Sequence, residues 1–417
     1  MTIGSHRRTT CRLCGSTDLK LALPLVPTPI GDHYLPASQR DESQPVFPLD
    51  LHLCGDCGHV QLLEVVDPVA LFGDYTFVTA SSLGLVEHFR RHADEVCRRF
   101  PPANGALIVE IGSNDGSLLR FYQERGCRVL GVDPARDVAA RATAAGVETL
   151  PTFFTSQLAQ KIKEQRGPAA VIEANNVFAH ADELRDIVRG VQTLLADDGV
   201  FVFEVSYLID IVEKCLFDTV YHEHLSYHSV EPLVRFFRSE GLELCDIERI
   251  GTKGGSLRGY VRHAAACPKP SPIVAELIAL EQRERIRESS TWRRYTEQLA
   301  AAKQALHEEL DRTQAESPGP LVGFGASVTV TTLAYHFDLG KRLQLLVDDN
   351  PNKRGLLSPG YHLPVHSSAR LYEANPPAVV VVLAWQYADV IIGKHQRYLD
   401  SGGRFLVPLP TVRVVTG

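Results

Sequence analysis

The sequence predicts an α/β chain: a central Rossmann-like sheet, a cysteine-built module before it, and a smaller Rossmann-like domain after it. Three observations carry that prediction. From Ala106 to Ala135 an apolar stretch, a glycine turn, a helix-like segment, a second apolar stretch and an acid follow one another, the layout of a βαβ nucleotide-binding unit. Strand-like and helix-like segments then alternate to about Val261, which means a mostly parallel sheet with helices on both faces. The strand-to-glycine theme returns at Leu321 to Ser327. A chain of 417 residues has room for two or three domains, and we place them at residues 1–75, 76–267 and 268–417.

In the central domain the strands are expected at 107–111, 129–132, 146–149, 170–174, 199–205 and 256–262, with ligands outside their carboxyl ends. The first turn reads E-I-G-S-N-D-G, so Gly112 and Gly116 let backbone approach a ligand. Asp133, 21 residues after Gly112, can accept both hydroxyls of a ribose. The third glycine of a pyrophosphate-binding turn is missing. Glu110 and Asp115 would repel phosphate but suit a cationic sulfonium and an amino acid ammonium; in this the segment resembles the first motif of S-adenosylmethionine-dependent methyltransferases. The plain alternative is an ordinary turn with Asp133 as a strand-end cap. Together with Asn114 these residues form the expected cofactor turn. Phe153 and Phe154 after the third strand could clamp an adenine, and Asn175, Asn176 and His180 after the fourth offer amides and an imidazole.

Composition narrows the function. Both signs of charge are dispersed around a net −7, which gives no support to a nucleic-acid partner. The longest apolar runs, such as Ala378 to Trp385, fall far short of the roughly 18 residues a membrane span needs. The amino terminus lacks an apolar signal core, so a cytoplasmic protein is expected. Nine cysteines then argue for thiols or a metal rather than a disulfide framework.

Four of those cysteines form two C-x-x-C knuckles, Cys11/Cys14 and Cys54/Cys57, each followed by glycine. Four thiolates at that spacing close a tetrahedron around zinc, and with no open position the metal is structural. A redox C-x-x-C pair would need only one knuckle. The 39 residues between the pairs are rich in proline, and metal closure tolerates such a loop at small entropic cost. The expected task is to shape a lid module over about residues 10–70, so that chelation unfolds it without altering the chemistry of what remains. Tyr75, in the polar and aromatic segment that follows, either reaches a ligand or packs as a loop tyrosine.

The densest chemistry lies between Phe217 and His228, where seven of twelve residues carry a titratable side chain. His222-Glu223-His224 looks like a ligand set but lacks the spacing that puts two imidazoles on one helical face. Acid/base work is favoured, with a carboxylate raising the basicity of a histidine and fixing its tautomer. His222 and His228 are read as surface or supporting residues.

After the proline-rich break at 268–272, residues 273–314 read as two packed helices. Strands at 321–324, 343–347, 378–384 and 405–408 then form the smaller sheet. The amides of Gly325, Ala326 and Ser327 offer a cradle for a diphosphate. Asp348 or Asp349 could meet a ribose, and Trp385 or Tyr387 could pack against a base or sugar. A nicotinamide cofactor is the competing tenant of this turn.

Taken in order, the paired knuckles, E-I-G-S-N-D-G at 110–116, N-V-F-A-H at 176–180, Y-H-E-H-L-S-Y at 221–227, G-G-S-L-R at 254–258 and G-F-G-A-S at 323–327 resemble the three-module deoxysugar C-methyltransferases. Those enzymes methylate C-3 of nucleotide-linked 4-keto sugars on the way to branched antibiotic sugars. The resemblance implies S-adenosylmethionine in the central domain, structural zinc in the first, and a nucleotide-sugar substrate whose handle lies along the third. It places Tyr75, His180, Tyr221, Glu223 and His224 around the reacting centre, with Lys253, Ser256 and Arg258 among the substrate contacts. Two positions depart from the family pattern: Lys253 stands where histidine often precedes G-G-S-L-R, and Thr329 where lysine often follows G-A-S-x. Proton removal beside a ketone needs a close base and donors for the enolate oxygen. His224 is the expected base and Glu223 its orienting partner, with Tyr221 and His180 or Tyr75 as donors. A monomer or loose homo-oligomer is expected. The competing functions are an NAD(P)H-dependent ketoreductase of the same sugar and a zinc-stabilised nucleotide-binding regulator.

Overall fold

The computed structural model describes residues 3–73, 79, 83–373 and 376–417. Its contacts gather into two compact units: Met1–Lys20, Leu53–Ile209 and Leu225–Arg287 in one; Leu21–His52, Asp210–His224 and Glu288–Gly417 in the other.

The first unit is built on a seven-stranded sheet. Its strands are β1 (Leu107–Ile111), β2 (Arg128–Val132), β3 (Thr149–Leu150), β4 (Ala169–Asn175), β5 (Leu195–Ser206), β6 (Leu242–Ile250) and β7 (Ser256–His263), in the order β6-β7-β5-β4-β1-β2-β3. Strands β1 to β5 are parallel, while β7 runs antiparallel to both β5 and β6. β1 and β4 are fully or almost fully buried, as expected of strands covered on both faces. Because β1 lies between β2 and β4, the strand order reverses there and opens a crevice at the carboxyl ends. Helix α1 (Leu83–Arg99) buries Phe89, Ala93 and Val96 against helix α2 (Ser117–Gln123) and the sheet, on the i, i+4, i+7 spacing of one helical face.

In this unit a strand and a disulfide depart from the sequence reading. β6 was absent from it, because Glu243, Asp246 and Glu248 interrupt the apolar run; their partners are Arg238 and Arg99. A disulfide joins Cys245 to Cys267, where only thiols and metal ligands were expected. The antiparallel pairing of β6 with β7 brings these cysteines, 22 residues apart in sequence, within 6.0 Å between Cα atoms.

The expected two helices between 273 and 314 are present as Pro272–Arg283 in the first unit and α3 (Ser289–Glu316) in the second. The second unit carries a six-stranded sheet: β8 (Leu321–Phe324), β9 (Leu345–Asp348), β10 (Val365–Ser367), β11 (Val379–Val382), β12 (Arg404–Val407) and β13 (Arg413–Val415). The order is β10-β9-β8-β11-β12-β13, parallel except for β13. Helix α4 (Val328–His336) follows β8. Most of the proline-rich stretch between the cysteine pairs belongs to this unit: Leu35–Pro36 pairs with Leu356–Leu357, and Thr331 donates to the Gly31 carbonyl. No helix among the described residues is long and apolar enough to cross a membrane.

Candidate active site

In the first unit the turn after β1 closes on the end of β2. Asp133 accepts the Asn114 amide at 2.8 Å on one oxygen and the Ala135 amide at 2.9 Å on the other. Each oxygen keeps a lone pair for a hydroxyl. Gly112 has φ +69°, and a Cβ there would lie 2.3 Å from Val177, so only glycine allows this turn beside the β4 loop. Gly116 precedes α2, and Asp115 accepts the Ser117 amide and hydroxyl. The Asn114 side chain accepts from the amide and hydroxyl of Thr79. Glu110 is buried with one carboxylate oxygen unpartnered. Burial, with Glu173, Asp133 and Asp115 nearby, pushes its pKa well above the carboxylate range. Asn175 likewise keeps a buried, unpartnered side-chain oxygen. A buried acid and a buried acceptor beside a glycine turn fit the ammonium, sulfonium and ribose of S-adenosylmethionine. Of the expected aromatic pair, Phe154 is in the core and Phe153 is 41% exposed, so only Phe153 is open to a ligand. Asn176 holds φ +56° and donates its amide to the Glu204 carbonyl. His180 stacks on Phe72 at 5.7 Å.

Behind this turn lies a charged network that sequence reasoning missed. Glu173 accepts from His92 at 2.9 Å and from Tyr122; Glu204 accepts from His88 at 2.9 Å and from Arg258 at 2.7 Å, and lies 3.2 Å from His92. Burial alone would depress His92, but the two carboxylates raise its pKa to about 9. The signal was legible: one acid in each of two apolar strands, and two histidines one helical turn apart on α1. Arg258 is therefore bound to Glu204 within the sheet. Ser256, also on β7, donates its hydroxyl to the Thr252 carbonyl, and Lys253 occupies the preceding turn at φ +51°.

The four cysteines stand together in the same unit, their sulfurs within 4.8 Å of one another, with Cys11–Cys57 at 3.6 Å and Cys14–Cys54 at 3.5 Å. Tetrahedral zinc with bonds of about 2.3 Å requires sulfurs about 3.8 Å apart, so the set fits. Arg12, inside the first knuckle, bonds Asp182 at 3.0 Å and the carbonyls of Leu62 and Leu225. Asp182 belongs to the loop that carries Asn176 and His180, so the metal module braces that loop. His228 is fully buried against Phe178 and His59, not on the surface.

Of the titratable stretch between Phe217 and His228, the part up to His224 lies in the second unit. His224 Nδ1 is 2.8 Å from the Thr219 carbonyl, which can only accept, so Nδ1 carries the hydrogen. Nε2 is then the bare nitrogen of the neutral ring, and the Tyr221 hydroxyl donates to it at 2.8 Å. A main-chain carbonyl thus orients the ring, and Glu223, the expected orienting partner, is 8% exposed. His222 is buried with Nε2 on the Phe47 carbonyl at 3.2 Å, again not at the surface. Tyr75 lies outside the described residues.

At the second glycine turn Gly325 holds φ +122°, and a Cβ would meet Ala384 at 2.9 Å. The Gly325 amide donates to Val347 and the Ala326 amide to Asp348 at 2.6 Å, so two of the three amides expected to face a diphosphate have partners inside the turn. Ser327 shares a hydrogen bond with Thr329. Asp349 is held by Lys394 at 2.6 Å and by Ser368. Trp385 is buried and donates its indole N–H to Asp218 at 2.9 Å, instead of facing a base, whereas Tyr387 is exposed.

The sheet order, the acidic glycine turn and the four-thiolate cluster define an S-adenosylmethionine-dependent methyltransferase with a structural zinc site. Three family models match: a zinc binding domain over residues 11–72, a methyltransferase domain over 86–247 and a C-methyltransferase C-terminal domain over 251–410. The chain is similar to the C-methyltransferase NovU of Streptomyces niveus, 33% identical over 407 residues that cover 97% of this chain and 96% of that one. The chain belongs to the C-methyltransferase family. Among solved structures it is similar to the magnesium protoporphyrin IX methyltransferase ChlM of Synechocystis PCC 6803, at 16% identity over 43% of this chain and 84% of that one, TM-score 0.33. A methyltransferase of Clostridium acetobutylicum is similar at 12% identity over 43% of this chain and 92% of that one, TM-score 0.35.

Proposed function

We propose that this C-methyltransferase methylates C-3 of a thymidine-diphosphate 4-keto-deoxysugar, with His224 as the base, in the cytoplasm and on a route to branched antibiotic sugars. The observation that carries the reading is the tautomer of His224: Nδ1–H on a main-chain carbonyl and a bare Nε2 beside a phenol. Nε2 takes the proton from the carbon beside the ketone, and that proton stays on the imidazole. The positive charge formed there is stabilised by the Thr219 carbonyl; the protonated Nε2 then donates to the Tyr221 oxygen, which leaves the phenol O–H to donate to the enolate oxygen. S-adenosylmethionine, when bound, supplies the electrophilic methyl that the nucleophilic carbon displaces from sulfur. The carbon–hydrogen bond is exchanged for a carbon–methyl bond, so no redox partner is needed. The substrate handle is proposed to lie along the second sheet, where Ser327 follows the glycine turn and Tyr387 is exposed.

The test is incubation with S-adenosylmethionine and the keto sugar, reading product mass. A gain of about 14 mass units per turnover supports the reading; NADPH-dependent gain of two hydrogens without methylation would replace it with ketoreduction. His224→Asn is expected to lower methylation by ~10²–10⁴-fold while S-adenosylhomocysteine binds as before. Retained turnover would remove His224 from the mechanism.

A further inference from the structure

The segment that carries His224 is fixed to the second sheet at three points. Trp385, just after β11, donates its indole N–H to Asp218 at 2.9 Å. Thr332 on α4 donates its hydroxyl to the Val220 carbonyl at 2.7 Å. Phe217 stacks on Phe337 at 5.2 Å. Between the first two lies Thr219, whose carbonyl accepts from His224 Nδ1. Asp218 is itself 1% exposed, and the indole N–H on its Oδ2 partly offsets the cost of burying the acid.

We propose that Trp385, Asp218 and Thr332 are positioning residues for the base: they hold the peptide planes on either side of Thr219 so that its carbonyl selects the Nδ1–H tautomer of His224. This rests on the assignment of His224 as base made above. The second sheet then helps to build the proton-transfer site, and Trp385 acts from beneath the loop without touching substrate. Burial raises the Asp218 carboxyl to about 7, against the pull of the Trp385 hydrogen bond, so a neutral acceptor serves nearly as well as a charged one there. An asparagine, whose side-chain oxygen still accepts from the indole, should therefore substitute.

The experiment measures two rates on the purified full-length enzyme: methyl transfer, and exchange of the hydrogen beside the ketone with heavy water when no methyl donor is present. Trp385→Phe, which keeps the ring and removes only the donor, and Asp218→Ala are expected to lower both rates about 10- to 100-fold. The KM for each substrate should stay within about twofold, and the double variant should be no worse than the worse single one. Asp218→Asn should restore most of the rate lost in Asp218→Ala. Thr332→Val provides a second route should Trp385→Phe fold poorly, with the same loss of exchange expected. Unchanged exchange in Asp218→Ala and Trp385→Phe, or losses confined to KM, would overturn the proposal. His224→Asn is run alongside. If it keeps its exchange rate, the base assignment itself fails; if it loses exchange while the Asp218 and Trp385 variants do not, only the positioning role fails.

Discussion

At the level of single residues, Glu110 shows how a ligand site is held ready at a cost to the empty protein. Its carboxyl is buried beside Glu173 on the neighbouring strand, with one oxygen unpartnered, and its pKa is raised well above the usual range. A raised acid stabilises the fold fully only below its unfolded pKa and loses that contribution as pH climbs through the folded one. Glu110→Gln should therefore raise the melting temperature at pH 8 by about 2 °C. The same change should weaken S-adenosylhomocysteine about tenfold, through loss of a charge-assisted hydrogen bond to the ammonium. Calorimetric titration beside thermal melting checks both; unaltered affinity would place Glu110 outside the cofactor site. This residue was legible in the sequence because an acid at the end of an apolar strand is unusual. The acceptor for His224 Nδ1 was not legible, because a main-chain carbonyl carries no letter of its own. Trp385 was misread for a related reason: an aromatic at a strand's carboxyl end looks alike whether it faces a ligand or a buried carboxylate.

At the level of elements, helix α1 is tied to the central sheet by the pair of carboxylates on either side of His92. Its imidazole has a folded pKa of about 9 against an ordinary 6.5, so the stabilisation is fully present below 6.5 and is lost as pH rises through about 9. The shift corresponds to about 3 kcal/mol at most. Urea unfolding should show the wild type losing that stability between pH 7 and 10, whereas His92→Gln should start lower and vary less over the same range. An identical pH dependence in both would mean that the imidazole is neutral in the fold. Most sheet strands could be read from apolar runs, since a strand buried on both faces has little else to show. The strand β6 could not, because its acids break the continuous apolar run by which the others were read, and Arg99, which pairs with Asp246 and Glu248, lies far upstream in helix α1.

At the level of the whole molecule, the cysteine knuckles share a unit with the central sheet, and Arg12 carries their position to Asp182 in the His180 loop. Removing the metal should then disturb more than its own module, contrary to the expectation from sequence. Chelation of the purified enzyme is expected to lower the melting temperature, to speed amide hydrogen exchange across residues 176–183 and to reduce methyl transfer. Full activity and unchanged exchange in a zinc-free protein would restore the view of an independent module. The fold class was legible because its glycine turns and knuckles are local patterns. The sorting of segments between units was not, since nothing local tells a proline-rich stretch which sheet it will join.

That sorting has a consequence for how the polypeptide comes off the ribosome. The chain passes between its two units at residues 20, 52, 209, 224 and 287. Both thiolate pairs emerge within the first 57 residues and are ready for metal almost at once. The segment bearing His224 emerges before residue 225, yet Thr332 and Trp385 that hold it are translated more than a hundred residues later. At about 5–20 residues per second, that interval lasts on the order of ten seconds. Throughout it the nascent chain carries a buried-type acid and a cluster of aromatics with nothing yet to cover them, a window in which a chaperone has work to do.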